Sequence, residues 1–326
     1  MRIASYVPRT GVWAGRLEAL AAQEPDHEFI LDSERADAEI AALDAIVANG
    51  LPAGFLEAAT SLKALFLPIA GVNHLPTAAL HARGIRVFNS HGNATQVAER
   101  ALAMTLAFYG RIVEFHRDLE EGLWHGFWVG KGVEDQWSSL YGRKACIFGA
   151  GAIGGALARL LKAFDCEVTA YRRRPEAGLP EGFDRLEPSF EKAVADHELL
   201  FVALPLTPAT KGLFSKEILL SAKGKFLVNV GRGEVIDEEG LYLALRDGVL
   251  AGAAIDTWYV YPQGGATRGE PSRFPINHLR NVILSPHVAG SARESAQSNV
   301  DQTLENLKIW LDGGDCPREV NLSELY

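Results

Sequence analysis

The 326-residue sequence contains little cysteine, and its cysteines form no framework. Cys146, Cys166 and Cys316 lie far apart, with neither a CxxC pair nor a Cys/His cluster. Small secreted domains depend on closely spaced cysteines, and structural zinc sites need them in pairs. The sequence therefore predicts no disulfide framework and no metal site, and it fits a reducing cytoplasm.

Long apolar runs and a surplus of positive charge are also missing. Stretches such as ALFLPIAGV are too short, and too broken by proline or glycine, to span a bilayer. The first residues, MRIASYVPRTG, hold no apolar core of signal-peptide length. The formal net charge of -9 argues against a nucleic acid or an anionic membrane as partner. These absences predict a cytoplasmic protein.

Short apolar runs that alternate with helical patterns are abundant. They are RIASYV, DAIVA, ALFLPIA, IRVFN, KACIFGA, EVTAYR, LLFVALP, KFLVNV, LAGAAID and NVILSP. Strands that alternate with helices predict βαβ units and largely parallel sheets, which is the α/β class. A chain of 326 residues is long for a single core and suggests two domains.

Two segments between the strand sets have a distinct character. Residues 93–119, with Val97, Leu102 and Leu106 at roughly helical spacing, predict one long helix that could bridge two domains. Residues 122–142 are rich in glycine and aromatic side chains and are predicted to be irregular. Their aromatic residues either fill a core or contact another subunit; they are Trp124, Phe127, Trp128, Trp137 and Tyr141.

A glycine motif lies between the strand KACIF and a helix rich in alanine and leucine. Gly149, Gly151 and Gly154 form a GxGxxG pattern, which in this context predicts dinucleotide binding. The glycines allow a tight turn, the approach of a pyrophosphate and close helix packing. The helix start, with Ala152 and Ile153, would hold the phosphates. The alternative is a glycine-rich turn without a ligand.

Three consecutive arginines follow the second strand, about 20 residues after the glycine motif. An acidic residue at this place normally binds the ribose 2′-hydroxyl of NAD, whereas arginine accommodates the 2′-phosphate of NADP. The planar guanidinium groups of Arg172, Arg173 and Arg174 suit a phosphate. The sequence therefore predicts NADP, with NADPH preferred over NADH. The competing interpretation is a solvated turn.

Two later segments complete a pattern. LVNVGRGEVIDEEGLYLAL (227–245) places Arg232 between glycines, and VILSPHVAGSA (282–292) places His287 after Ser-Pro. With the glycine motif, these resemble the D-isomer-specific 2-hydroxyacid dehydrogenase family. Four further stretches are similar to parts of that family. PIAGVNHLP (68–76) is similar to its substrate-carboxylate loop, and NATQVAE (93–99) is similar to the start of its interdomain helix. LFVALPLTPATKGLF (200–214) is similar to its third and fourth cofactor-domain strand region, and NLKIWLDGGDCPREVN (306–321) is similar to its closing helix and tail.

The resemblance covers most of the chain and implies a fold. The family has two Rossmann-like α/β domains with parallel sheets, the cofactor domain being inserted into the substrate domain. Here this implies a flavodoxin-like substrate-binding domain at 1–95 and 290–326, and a dinucleotide-binding Rossmann domain at 96–289. It also implies an active site in the cleft and a homodimer formed through the cofactor domain.

The resemblance further implies a reaction, hydride transfer between NADP(H) and a small 2-oxo or 2-hydroxy acid of the glyoxylate or hydroxypyruvate type. Arg232 would bind the substrate carboxylate and carbonyl, and His287 would act as acid and base. Taken singly, this arginine could cap a turn and this histidine could be structural. The other implied contacts are Ala70, Gly71 and Asn93 for the substrate, and Leu204, Pro205, Thr210, Val230, Asp256 and Gly290 for the cofactor. Related alternatives are a cofactor-sensing binding protein and an oxidation like that of formate dehydrogenases.

The chain departs from the family at one catalytic position. The usual pattern has a glutamate five residues after the aspartate corresponding to Asp256, and that glutamate pairs with the catalytic histidine. In the stretch DTWYVYP this position is Tyr261. We expect Tyr261 to hydrogen-bond His287, and we expect a lower pKa for the histidine than a carboxylate would give. The alternative partner is Glu270, from the long segment that follows.

Overall fold

The computed structural model describes residues 1–130 and 135–325. It divides the chain into two compact units, Met1–Asn93 with Ser291–Tyr326, and Ala94–Gly290. The second unit is therefore inserted into the first along the chain, and its limits lie close to the expected 96–289. Each unit contains a parallel sheet with helices. The predicted α/β class is confirmed.

The strands are short and apolar, and most consist of residues that are buried on both faces of a sheet. In chain order they are β1 (Arg2–Ser5), β2 (Glu28–Ile30), β3 (Ala45–Val47), β4 (Ala64–Phe66), β5 (Arg86–Phe88), β6 (Lys144–Phe148), β7 (Glu167–Tyr171), β8 (Arg185–Leu186), β9 (Leu199–Val202), β10 (Phe226–Asn229), β11 (Gly252–Ile255) and β12 (Val282–Leu284).

Most of the α-helices lie between successive strands of a sheet and return the chain to the amino end of the next strand, whereas α11 follows the last strand. In chain order they are α1 (Arg16–Gln23), α2 (Ser33–Ala38), α3 (Phe55–Ala58), α4 (Thr77–Ala82), α5 (Ala94–Tyr109), α6 (Ile112–Glu120), α7 (Ala152–Lys162), α8 (Phe190–Ala195), α9 (Lys216–Ser221), α10 (Glu238–Arg246) and α11 (Arg293–Leu311). No helix in the described residues is long and apolar enough to cross a membrane.

The first unit has a five-stranded sheet in the order β2-β1-β3-β4-β5, with every neighbouring pair parallel. This is the flavodoxin-like order. Side chains alternate between its faces, so Ile46 and Leu65 enter one core cluster while Ala45 and Phe66 enter another. The second cluster includes the aromatic contact between Phe66 and Trp310 of α11, whose ring centroids are 5.7 Å apart.

The second unit has a seven-stranded parallel sheet in the order β12-β11-β10-β9-β6-β7-β8. Its strand order reverses at the boundary between β6 and β9, as in Rossmann folds. Ile147 and Phe201 face one core cluster, and Phe148 and Val202 face the other. Both faces are thus covered, as a parallel sheet requires.

The register of this sheet brings the carboxyl ends of its strands into one row. Phe148 is paired with Val202, Val202 with Asn229, and Asn229 with Ile255. Ile255 is in turn paired with Leu284. The residues that follow these strand ends therefore lie along a single edge. In open α/β sheets, ligands bind outside this edge, at the point where the strand order reverses.

The single helix expected over 93–119 is two helices. Helix α5 ends at Tyr109 and α6 begins at Ile112. Between them Arg111 has a φ of 50°, in the left-handed region. A Cβ atom on Gly110 would lie 2.8 Å from the carbonyl oxygen of Leu106, so only glycine fits this turn. The apolar spacing continues across the break, which is why periodicity alone predicted one helix.

The stretch 200–214, which resembles the family's third and fourth cofactor-domain strand region, begins in the fourth strand of the unit. The structure has one strand there, β9, and a turn-rich loop follows it. The third strand of the unit is the two-residue β8, which pairs with β7 at the edge of the sheet. A strand this short carries no apolar pattern, so the sequence gives no sign of it.

The aromatic segment 122–142 is irregular apart from short turns, as expected, although residues 131–134 lie outside the described residues. Trp124 is 60% exposed and Trp128 78% exposed, so they do not fill the core of this chain. Trp137 and Tyr141 are exposed as well. The core interpretation of these four residues is therefore wrong.

Candidate active site

The glycine turn after β6 has the geometry that a dinucleotide site needs. Gly149 has a φ of 104°, and a Cβ on Gly154 would lie 2.1 Å from the Gly149 carbonyl oxygen. Neither position accepts a side chain. Gly151 forms the N-cap of α7, and a Cβ there would meet no atom within 4 Å. The start of the helix is thus uncovered, so the amides of Ala152 and Ile153 can receive a diphosphate.

The arginine run begins directly after β7, the strand beside β6. Phe148 and Tyr171, the last residues of these two strands, are paired, so Arg172 follows the same edge as the glycine turn. Arg172 is half-buried, and its Nη1 donates to the Gly178 carbonyl at 3.4 Å. Arg173 and Arg174 are exposed. The first carboxylate beyond the strand is Glu176, after the three arginines.

The loop after β9 is braced by Thr210. Its hydroxyl donates to the Pro205 carbonyl at 2.6 Å and accepts from the Thr207 amide at 2.8 Å. This hydroxyl therefore shapes the loop that presents Leu204 and Pro205, both half-buried, at the sheet edge. Cofactor contacts by these residues, by Val230 directly after β10 and by Gly290 in the loop between β12 and α11 remain predictions.

Arg232 is held by an asparagine turn at the end of β10. The Asn229 side chain donates to the Arg232 carbonyl at 3.0 Å and accepts from the Gly231 amide at 3.0 Å. A Cβ on Gly231 would lie 2.5 Å from the Leu204 carbonyl oxygen, and one on Gly233 would lie 2.3 Å from that of Trp258. The two glycines thus let the backbone pass between neighbouring loops.

The charge of Arg232 has no carboxylate paired with it in the described part of the second unit. Its Nη1 donates to the Gly231 carbonyl at 2.8 Å, and the side chain is half-buried. Among the described residues no carboxylate forms an ion pair with it. A half-buried guanidinium with unused donors is suited to bind a carboxylate in two-point fashion.

His287 lies in a loop that is held by hydrogen bonds to Asp256. The buried carboxylate of Asp256 follows β11, and its Oδ1 accepts from Ser285 Oγ at 2.5 Å, from the Val288 amide at 3.0 Å and from the Ala289 amide at 3.2 Å. These donors flank His287 on both sides. The expected contact of Asp256 with the cofactor remains a prediction; in the structure its carboxylate holds the histidine loop.

His287 itself has a φ of 57°, a left-handed conformation that is uncommon for a residue with a side chain. Such residues cluster at functional sites, where the surroundings hold them in place. Protein surrounds part of the ring, and this burial lowers the pKa of His287; Asp256 opposes the shift and Arg232 adds to it. In the described part of the chain the imidazole makes no hydrogen bond, so it is available to a ligand.

The expected hydrogen bond from Tyr261 to His287 is absent. The Tyr261 hydroxyl accepts from the Trp258 amide at 3.0 Å, which folds the phenol back onto its own turn. The two rings are still neighbours, with centroids 5.4 Å apart. The alternative acid, Glu270, accepts instead from Asn277 Nδ2 at 2.9 Å. Neither residue gives the histidine a carboxylate partner.

The expected substrate-binding residues Ala70, Gly71 and Asn93 belong to the first unit. All three are half-buried. Ala70 and Gly71 lie in the loop after β4, and Asn89 Nδ2 donates to the Ala70 carbonyl at 2.8 Å. Asn93 directly precedes Ala94, the first residue of the second unit.

Several residues that shape this edge were missed by sequence reasoning. Asn229 had a detectable signal, since asparagine at a strand end often forms a turn with its own backbone. Ser285 lies next to Pro286 in the Ser-Pro-His motif but was not assigned a role. Arg100, on α5, approaches Ser285 with its guanidinium, and no sequence pattern connects the two.

The chain is similar to known proteins over most of its length. The family model of the D-isomer specific 2-hydroxyacid dehydrogenase NAD binding domain matches residues 102–289. A glyoxylate reductase of Korarchaeum cryptofilum is 31% identical over 284 residues, covering 86% of this chain and 82% of that protein. A D-3-phosphoglycerate dehydrogenase of Haemophilus influenzae is 31% identical over 277 residues, which cover 84% of this chain and 65% of the Haemophilus protein.

A solved structure is similar over nearly the whole chain. It is an NADPH-dependent glyoxylate/hydroxypyruvate reductase from Sinorhizobium meliloti in complex with NADP and malonate. Its TM-score is 0.72 at 26% identity, covering 99% of this chain and 98% of that one.

The fold and the site define a nicotinamide-dependent oxidoreductase. The chain belongs to the D-isomer-specific 2-hydroxyacid dehydrogenase family. The predicted family and the predicted class of reaction, hydride transfer involving a small 2-hydroxy acid, are confirmed.

Proposed function

We propose that this protein reduces small 2-oxo acids of the glyoxylate or hydroxypyruvate type with NADPH. The observation that carries the proposal is the position of Arg232 and His287. Both follow strand ends at the edge that carries the glycine turn, and neither is neutralised by a carboxylate in the described residues. The glyoxylate reductase relatives support this substrate class.

In the proposed reaction Arg232 binds the carboxylate and the carbonyl oxygen of the acid. Its positive charge draws electrons toward that oxygen and stabilises the developing alkoxide. A bound nicotinamide supplies the hydride. His287 donates its proton to the alkoxide, which yields the 2-hydroxy acid and leaves a neutral imidazole. Ala70, Gly71 and Asn93 are proposed to bind the substrate carboxylate as well.

We further propose that the 2′-phosphate of NADPH lies against the arginine run. Arg172 follows the strand at the place where NAD-binding chains have a carboxylate, and no carboxylate lies between the end of β7 and Glu176. The Sinorhizobium meliloti enzyme, which was solved with NADP, supports this choice.

The assembly proposed is a homodimer formed through the second unit. Trp124, Trp128 and Trp137 expose large apolar surfaces, and Ile112 and Leu119 of α6 do so too. An apolar surface of this kind marks a contact with another chain. A cytoplasmic location is proposed because the three cysteines are free and buried, which suits a reducing compartment.

The decisive experiment follows NADPH absorbance with a panel of 2-oxo acids: glyoxylate, hydroxypyruvate, pyruvate and 3-phosphohydroxypyruvate. We expect turnover with glyoxylate or hydroxypyruvate. Turnover restricted to the phosphorylated acid would move the assignment toward the phosphoglycerate dehydrogenases. Tight binding of NADPH without turnover of any acid would support a cofactor-sensing protein instead.

The cofactor proposal is tested by Arg172→Asp. Charge-assisted bonds to a phosphate contribute about 1.5 to 3 kcal/mol each, so the preference for NADPH over NADH should fall by about tenfold or more. The measurement is kcat/KM with each cofactor. Arg185→Asp is the matched control, because Arg185 is exposed on the neighbouring strand β8 and pairs with Glu167. An equal change in both variants would contradict a specific phosphate contact.

A further inference from the structure

Arg100 is a charged residue of α5 that none of the motifs explains. Neighbouring residues of its helix, Val97 and Ala101, pack into the core of the second unit. The guanidinium reaches the loop after β12, where Nε lies 3.3 Å and Nη2 lies 3.2 Å from Ser285 Oγ. In the described residues Arg100 forms no ion pair, so its polar contacts are made with this serine.

The donor and acceptor roles in this contact are determined by chemistry. A guanidinium has only donors, so Ser285 Oγ must accept from Arg100. The single hydroxyl hydrogen of the serine is then directed to Asp256 Oδ1, 2.5 Å away. The same carboxylate accepts from the Val288 and Ala289 amides. A chain of hydrogen bonds thus runs from Arg100 to the backbone on the far side of His287.

A second anchor fixes the near side of the histidine. Trp258 Nε1 donates to the Ser285 carbonyl at 2.8 Å. The carbonyl and the hydroxyl of Ser285 are therefore both hydrogen-bonded. His287, with its left-handed backbone, lies between these two anchored segments. An uncommon conformation of this kind persists only where the surroundings impose it.

We propose that Arg100 is a positioning residue, which orients the Ser285 hydroxyl toward Asp256 and thereby holds His287 in its left-handed conformation. The inference rests on the proposed role of His287 as proton donor. Without Arg100 the serine hydroxyl is free to rotate, and Asp256 loses a fixed donor. The loop then samples other backbone conformations, and the imidazole spends less time where a substrate needs it.

The test is a double-mutant cycle on kcat with Arg100→Met and Ser285→Ala. Misplacing a catalytic group is costly, and we expect each variant to lower kcat about tenfold with the KM for NADPH unchanged. Because both act through one chain of hydrogen bonds, the double variant should also lose about tenfold. A loss near a hundredfold would show independent effects and overturn the proposal. Arg159→Met, at an exposed position of α7, is the matched control and should retain the wild-type kcat.

A second measurement needs no catalysis. Hydrogen exchange of the Val288 and Ala289 amides, which donate to Asp256, should accelerate in Arg100→Met and in Ser285→Ala but not in Arg159→Met. Unchanged exchange in Arg100→Met would overturn the positioning role, whatever the activity. If the wild type reduces no 2-oxo acid, the proposed function fails while the exchange experiment still decides on Arg100.

Discussion

Two histidines of the second unit have opposite environments. His125 Nδ1 is 2.7 Å from an Asp135 oxygen, and its Nε2 is 2.8 Å from an Asp118 oxygen. His287 has no such partner among the described residues and is held through its backbone instead. The hydrogen bonds to Asp135 and Asp118 raise the pKa of His125, whereas burial lowers that of His287. Both nitrogens of His125 are therefore engaged in holding structure, whereas in the described part of the chain those of His287 are available to a ligand.

The two regions also differ in what they tie together. The His125 ring stacks on Phe115 of α6 with centroids 4.5 Å apart, and the Gly126 amide donates to Asp135 at 2.5 Å. This cluster fastens α6 to the aromatic segment proposed as a subunit contact. The His287 loop belongs to the sheet edge proposed to bind cofactor and substrate. Substitutions in one region should therefore leave the property of the other unchanged.

The largest effect is expected from Arg232→Ala. Removing a charge contact to the developing alkoxide costs about 3 kcal/mol or more, which is a loss of about 10² in rate. Steady-state kinetics should show this loss while fluorescence titration shows nearly unchanged NADPH binding. Arg232 takes no part in the hydrogen bonds of the His125 cluster, so the thermal stability of this variant should change little. Near-normal turnover in this variant would remove Arg232 from the mechanism.

A smaller effect, confined to the pH profile, is expected from Tyr261→Glu. The proton donor must be protonated, so kcat/KM for reduction falls as the pH rises through the pKa of His287. The pKa of His287 is lowered in the wild type, so this falling limb of the pH profile should lie on the acid side of neutral pH. A carboxylate near the ring favours imidazolium, so the limb should move to higher pH by about one unit.

The control for that experiment is Tyr261→Gln. Glutamine has nearly the size of glutamate without its charge, so its profile should keep the limb of the wild type. Coinciding profiles for all three proteins would mean that the side chain at 261 does not act on His287. A shift that glutamine reproduces would point to altered packing rather than charge.

The limits of prediction differ between sheet and site for physical reasons. Buried parallel strands are continuous apolar runs, so β6, β9 and β10 were visible in the sequence. The edge strands β2 and β8, at Glu28–Ile30 and Arg185–Leu186, are too short for a pattern and were missed. The break at Gly110 depends on one steric contact, which apolar spacing does not encode.

Within the site, residues at strand ends were predictable and side-chain contacts were not. Arg232 and His287 were assigned through the resemblance to the family, and their positions just after strand ends, where open α/β sheets bind ligands, supported that assignment. The orientation of Tyr261 depends on a rotamer choice, in which its hydroxyl accepts from the nearby Trp258 amide. Contacts such as Arg100 with Ser285 join residues far apart in sequence, and no local pattern reports them.

The smallest effect is expected from Asp135→Asn, which keeps the shape of the side chain but removes its charge. The folded-state pKa of His125 is raised, so its stabilising contribution is complete below the unfolded value of about 6.5. That contribution is lost as the pH rises through the folded value. The variant should therefore have a Tm a few degrees below the wild type in mild acid and close to it in mild alkali, with kcat unchanged. Glu120→Gln is the control, because Glu120 pairs with an exposed histidine, His116, at 3.5 Å and should show no such dependence. A deficit in Tm that is the same at both pH values would mean that Asp135 stabilises the segment without the histidine's charge.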